Sequence, residues 1–180
     1  MLVLETDAMP TEEVAAYVAG KCGLAPERLT LVVAATTSVV GGIQIAARSV
    51  ETAMHKMMEL GFDLHKVQAG SGVSPIATPI RDTLRAIGRT NDCVLYGATA
   101  ALVVDATDDE VEQILERIPS SASRDYGTPF YELFKRYGDF YKIDPMLFSP
   151  ARVTITNAAT GRTWSAGQLN LALLRSSLGA

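Results

Sequence analysis

The chain is poor in the residues that most metal and redox chemistry uses. Two cysteines and two histidines stand among its 180 residues. Cys22 and Cys93 lie far apart without metal-ligand spacing and read as two buried thiols of a reduced compartment. Glu51 and His55 are four apart, but the second histidine of an HExxH helix is absent, so no metal site is expected. No GxxxxGK[ST] loop occurs. GSGVSP, from Gly70, begins like a dinucleotide fingerprint, yet Pro75 stands where the third glycine belongs. No serine or cysteine has a histidine at a telling spacing. An excess of basic charge is missing too: the net charge is −4 and the pI near 5.2, which argues against nucleic acid or an anionic membrane as partner. No apolar run reaches the 18 or so residues that a membrane span needs. The opening MLVLETDAMP lacks the basic and long apolar regions of a signal peptide. These absences point to the cytoplasm.

What remains is a globular composition, 48% apolar and 20% charged, long enough for a substantial core. LVLE (Leu2–Glu5) reads as a strand immediately after the first residue, as though the chain began in the middle of a fold. Thr11–Cys22 reads as a helix, with Pro10 before it and Gly23 as its stop. Leu29–Thr36 is a β-branched apolar run, predicted as a buried strand, and a single helix follows from Gly41 to near Gly61. HKVQAGSG gives a short strand and a turn. Thr78-Pro79 is predicted to open a helix that Gly88 closes. CVLYGATAALVVD reads as a long strand interrupted at Gly97. Thr107 and Glu110 form a capping box for a helix that stops before Pro119.

The texture changes at Pro119. The turn-rich stretch that follows holds eight of the twelve aromatic residues, Tyr126 through Phe148. RVTIT and GRTWSA, joined by NAAT, read as a hairpin, followed by a short helix to Leu178. The fold class is therefore α+β: a mixed sheet with packed helices and a C-terminal β-hairpin. Residues 1–180 are expected to form one unit, with an alternating part over 1–118 and the aromatic-rich segment, hairpin and helix over 119–180.

One helix carries the chemistry. In GGIQIAARSVETAMHK (Gly41–Lys56), Gln44, Arg48, Glu51 and His55 fall on one narrow line of an otherwise greasy helix, and Glu59 extends it. Such a polar stripe faces a cleft, another subunit or a strip of water. Arg48 and Glu51 are neighbours on that face. They read either as a surface ion pair or as a cleft carboxylate oriented by a guanidinium and able to pass protons. Gly41 and Gly42 would let backbone amides approach a ligand closely.

Four blocks carry a resemblance: TTSVVGGIQIAARSVETAMHK, GRTNDCVLYG, IPSSASRDYGTPFYELF and FYKIDPMLFSPARVTI. In this order they resemble methenyltetrahydromethanopterin cyclohydrolase, and the chain resembles the C-terminal part of that family's two-domain α+β fold, without the N-terminal portion. The resemblance implies a cleft between two domains and a homotrimer. It also implies a cofactor-free, metal-free interconversion of N5,N10-methenyl- and N5-formyl-tetrahydromethanopterin. Glu51 matches the catalytic carboxylate and Arg48 its partnering arginine. As substrate-binding candidates stand Lys142, Thr37, Ser38, Gln44, Ser121 and Arg124; Lys142 has the plain alternative of a surface lysine, Thr37 and Ser38 that of a helix cap, and Ser121 that of a turn residue. The expected partner is a pterin C1 carrier, with a second copy of the chain or a separate N-terminal-half chain closing the cleft. A catalytically silent module that folds and oligomerises is the other reading. Eleven arginines against five lysines hint at a GC-rich, C1-oxidising bacterium.

Overall fold

A computed structural model describes residues 1–179. Its two sheets are linked by helices. Strands β1 (Leu2–Glu5) and β2 (Leu31–Ala34) pair in parallel, with Glu5 opposite Ala34. Parallel strands need a crossover, here helix α1 (Glu12–Lys21), which starts where the Thr11 side chain accepts from the Val14 N–H. Beyond β2 the Ser38 hydroxyl caps helix α2 (Val39–Ala46).

The helix expected from Gly41 to Gly61 is two helices. The chain turns at Ala47 and Arg48 and resumes as α3 (Ser49–Glu59). Two different supports explain the break. α2 packs against β2 and against helix α4 (Thr83–Gly97), whereas α3 lies on strands β3 (Val67–Val73) and β4 (Thr99–Val104). No single straight rod serves both directions. The glycines hold α2 close to its neighbours: a Cβ on Gly41 would collide with the Ala35 carbonyl, and one on Gly42 would press on that of Ala77.

α4 overturns two expectations. It begins at the Asp82 cap, not at Thr78-Pro79, and runs through Gly88 to Gly97. Gly88 sits inside the helix because Tyr131 packs directly against it. The segment from Cys93 to Tyr96, expected as strand, is the buried end of this helix, and the strand proper starts only at Thr99. A helix end buried all round shows no amphipathic period, so its apolar run mimics a strand. Cys93 is buried as expected, while Cys22 is exposed.

β3, β4, β5 (Arg152–Asn157) and β6 (Thr163–Gly167) form the main sheet in that order, with β4 and β5 parallel and the outer pairings antiparallel. It is the mixed sheet with a C-terminal hairpin that the sequence leads one to expect, and the fold is α+β. Helix α5 (Asp108–Leu115) carries the full Thr107–Glu110 capping box and packs on the sheet beside α3. Beneath them Met57, Leu102, Val104, Val111, Val153 and Ile155 form one core. A second core joins α4 to α6 (Phe130–Tyr137) and α7 (Leu171–Leu178), around Leu95, Tyr96, Phe130, Leu133 and Leu147. The sheet's other face is small and hydroxylated, with Thr154 bonded to Ser165 at 2.9 Å and Thr156 to Thr163 at 3.0 Å.

Candidate functional site

The C-terminal end of β1, the α2–α3 turn and the middle of α4 surround a cleft of about 400 Å³. Its polar wall is Glu5, Arg48, Glu51, Thr52 and Asn91; Phe140 and Phe148 form an aromatic wall, stacked on each other with centroids 5.1 Å apart. The α2–α3 turn explains why Arg48 looks inward. It leaves Arg48 between the helices, where its side chain crosses to the strand ends.

Arg48 is held by three partners from three elements. Its Nε donates to Gln44 Oε1 at 2.9 Å, Nη2 to the Val3 carbonyl at 3.3 Å, and Nη1 to Glu51 Oε1 at 3.2 Å. The guanidinium is a fixed planar fork, so three bonds of different direction leave it little freedom. Glu51, at the first turn of α3, is the more open member: its side chain is 66% exposed against 33% for Arg48. An exposed pair of this kind contributes little to stability. Its geometry offers something else: an acceptor carboxylate at the cleft rim, anchored from behind and free in front.

The sequence-predicted residues do not all converge. Gln44 does, through its bond to Arg48. Ser38 is spent on structure: its hydroxyl accepts from the Gly41 N–H at 2.9 Å and donates to the Ala35 carbonyl at 2.6 Å. Thr37 precedes that cap and does not line the cleft. Gly41 and Gly42 serve close packing, so their amides do not face a ligand. Ser121 and Arg124 are exposed on and after the 3-10 turn Ser120–Ala122, away from the cleft lining; the neighbouring Ser120 is the buried one and donates to the Leu95 carbonyl. Lys142 is exposed, two residues beyond Phe140, outside the lining. His55 leaves the stripe's chemistry and faces Glu59 at 3.8 Å. Among the described residues no group of three or more His, Cys, Asp or Glu is gathered as a metal site.

Sequence reasoning missed Glu5, Thr52 and Asn91, and within the aromatic segment Tyr126–Phe148 it did not single out Phe140 and Phe148 as a cleft wall. Glu5 had one legible signal: it ends an apolar strand, and clefts of parallel sheets open at the carboxyl ends of their strands. It also missed Lys56, one turn beyond Thr52. Lys56 is buried and its Nζ donates to the Met146 carbonyl. Desolvation pushes its pKa down to about 8, with Asp144 nearby opposing the shift and Arg117 adding to it. The bond ties α3 to the turn that leads into Phe148.

Comparison with known proteins places this geometry in a context. A family model described as Cyclohydrolase (MCH) matches residues 1–178. A methenyltetrahydromethanopterin cyclohydrolase of Rhodopirellula baltica is 48% identical over 180 residues, covering 98% of this chain and 54% of that protein. The enzyme of the same name from Methanocaldococcus jannaschii is 46% identical, over 99% of this chain and 56% of its own length. That of Methylosinus trichosporium is 44% identical, over 99% and 69%. The chain spans about half the length of most of the curated relatives it matches.

Proposed function

Since the chain belongs to the methenyltetrahydromethanopterin cyclohydrolase family, we propose that it carries the acid–base centre for converting N5,N10-methenyl-tetrahydromethanopterin to its N5-formyl form and back. The methenyl carbon lies in a cationic amidinium and is open to water. Glu51 accepts a proton as water adds to that carbon, giving a neutral tetrahedral adduct. The same carboxyl then returns the proton to the departing ring nitrogen N10. That bond breaks and the formyl group stays on N5, with one proton released to solvent over the cycle. One carboxylate thus serves as base and then as acid.

The observation that carries this reading is the anchored Arg48: two bonds behind it, to Gln44 and the Val3 carbonyl, fix the guanidinium, and its third holds Glu51 at the cleft rim with a free face. Charge supports it as well. The wall has two carboxylates, Glu5 and Glu51, against one guanidinium, a balance that favours a cationic ligand over an anionic one. Phe140 and Phe148 offer a flat surface to a ring system. The chemistry needs no resident cofactor or metal. The setting is one-carbon metabolism in the cytoplasm, as in methanogenesis or methylotrophy.

A second reading has its own observation. Val39, Val40, Ile43, Val73 and Ile76 are all exposed on α2 and the segments around it, an amount of apolar surface that association would cover. In that reading the chain acts within an assembly, as a homotrimer or with a separate chain supplying the other cleft wall, and is silent alone.

The test is a spectrophotometric assay of methenyl-tetrahydromethanopterin hydrolysis by the chain. Turnover that Glu51→Gln reduces a hundredfold or more, in line with loss of a general base, supports the first reading. Turnover that survives Glu51→Gln overturns the role of Glu51. A folded protein without turnover favours the second reading.

A further inference from the structure

We propose that Glu5 is a positioning residue of the site: its carboxylate dictates which way the Gln44 amide points, and thereby holds Arg48 against Glu51. The inference rests on the reading of Arg48 and Glu51 given above, and on the order of donors and acceptors along four side chains.

Glu5 receives the Thr36 hydroxyl at Oε1 and the Gln44 Nε2 group, at 3.3 Å, at Oε2. Gln44 in turn accepts from Arg48 Nε through Oε1 at 2.9 Å. An ionised carboxylate only accepts hydrogen bonds and a guanidinium only donates them. An amide does both, from opposite ends. Placed between Glu5 and Arg48, the Gln44 amide therefore has one satisfied orientation: NH2 toward the anion, carbonyl toward the cation. Turned by 180°, it would oppose acceptor to acceptor and donor to donor. Gln44 acts as an adapter that lets an anion on β1 fix a cation on the α2–α3 turn.

The arrangement depends on the first sheet. Glu5 is the last residue of β1 and pairs with Ala34. Thr36, two residues beyond, is buried and supplies the hydroxyl that steadies it. A slip of one residue in this pairing would send Glu5 to the opposite face. The chain thus spends its first strand on aiming one side chain 43 positions later in the sequence, and Val3 of the same strand receives Arg48 Nη2 as a second fix.

Glu5→Gln is isosteric and removes the constraint, because a second amide donates as readily as it accepts. The measurement is the hydrogen-exchange rate of the Arg48 Nε–H by 15N NMR on the whole chain, with its peak identified by its loss in Arg48→Lys. The expected result is exchange faster by roughly tenfold in Glu5→Gln, the weight of one lost hydrogen bond, with the backbone amide spectrum otherwise retained. The Glu5→Gln/Gln44→Glu double variant restores the donor–acceptor order with the roles exchanged, and exchange should return toward the wild-type rate. Thr36→Val, which leaves β1 intact, should show a smaller acceleration and serves if Glu5→Gln fails to fold. In the hydrolysis assay, Glu5→Gln should lower kcat more than it raises KM, and should add nothing in an Arg48→Gln background. Unchanged Arg48 exchange in Glu5→Gln, or no recovery in the swapped double variant, overturns the inference. Because exchange is read without turnover, an inactive chain would count against the proposed function and leave this result standing on its own.

Discussion

The hydroxyl of Ser177, on the last helix, donates to the carboxylate of Asp92, buried in the middle of α4. The other Asp92 oxygen accepts from the Phe130 N–H at 3.0 Å, so one side chain joins α4 to the start of α6 and to α7. Burial pushes its pKa up to about 6, against the pull of both hydrogen bonds. A carboxyl raised in this way keeps its proton in the folded state where the unfolded chain has lost it. Stability therefore falls as pH rises from about 4 to about 6 and is level above that window.

Asp92→Asn keeps an acceptor for Phe130 and abolishes the charge. Urea unfolding should show the variant gaining on the wild type across that window, by about 3 kcal/mol at neutral pH. Equal pH dependence of the two proteins would contradict the assignment.

Lys56 should leave the opposite trace at alkaline pH. Its pKa is lowered to about 8, chiefly by burial, so between pH 8 and 10.5 the unfolded chain binds the extra proton and stability rises with pH. Lys56→Met should flatten that rise, which amounts to about 3 kcal/mol in the wild type. Unfolding midpoints at pH 7.5 and 10 are sufficient to see it.

Ser149 is wholly buried, and among the described residues its hydroxyl has no hydrogen-bond partner. The cost of an unmet buried polar group is about 1–3 kcal/mol, so removing the hydroxyl should help. Ser149→Ala is expected to raise Tm by several degrees. A drop in Tm would mean that the hydroxyl is satisfied in solution.

At Gly88 two effects oppose each other. Alanine is the better helix former by about 1 kcal/mol. However, a Cβ there would lie 2.9 Å from the Tyr131 Cβ and 3.1 Å from its backbone nitrogen. Backbone cannot step aside as a flexible side-chain end does, and overpacking costs about 1–3 kcal/mol. Gly88→Ala should therefore lose stability in chemical denaturation, despite its helix propensity.

The outer parts of the fold were legible because local rules set them. Thr107 and Glu110 announce α5 by a reciprocal cap, and the β5–β6 hairpin follows from two β-rich runs around a turn. Likewise Glu51 and Arg48 could be paired from their spacing alone, since helix geometry puts residues three apart on one face. Long-range packing decided the rest. Gly88 reads as a helix stop until Tyr131 is seen to need its bare backbone, and Cys93–Tyr96 reads as strand until burial on every side is seen to erase the helical period. Glu5 joins the site only because β1 pairs with β2 in one register and the chain turns at Arg48; neither the 39 residues from Glu5 to Gln44 nor the 43 to Arg48 carry any periodic signal. The sequence by itself determined which side chains pair locally on the α3 face. The tertiary structure decided which distant groups hold that pair in place, because donors and acceptors far apart in the chain meet only after the sheet and helices have packed.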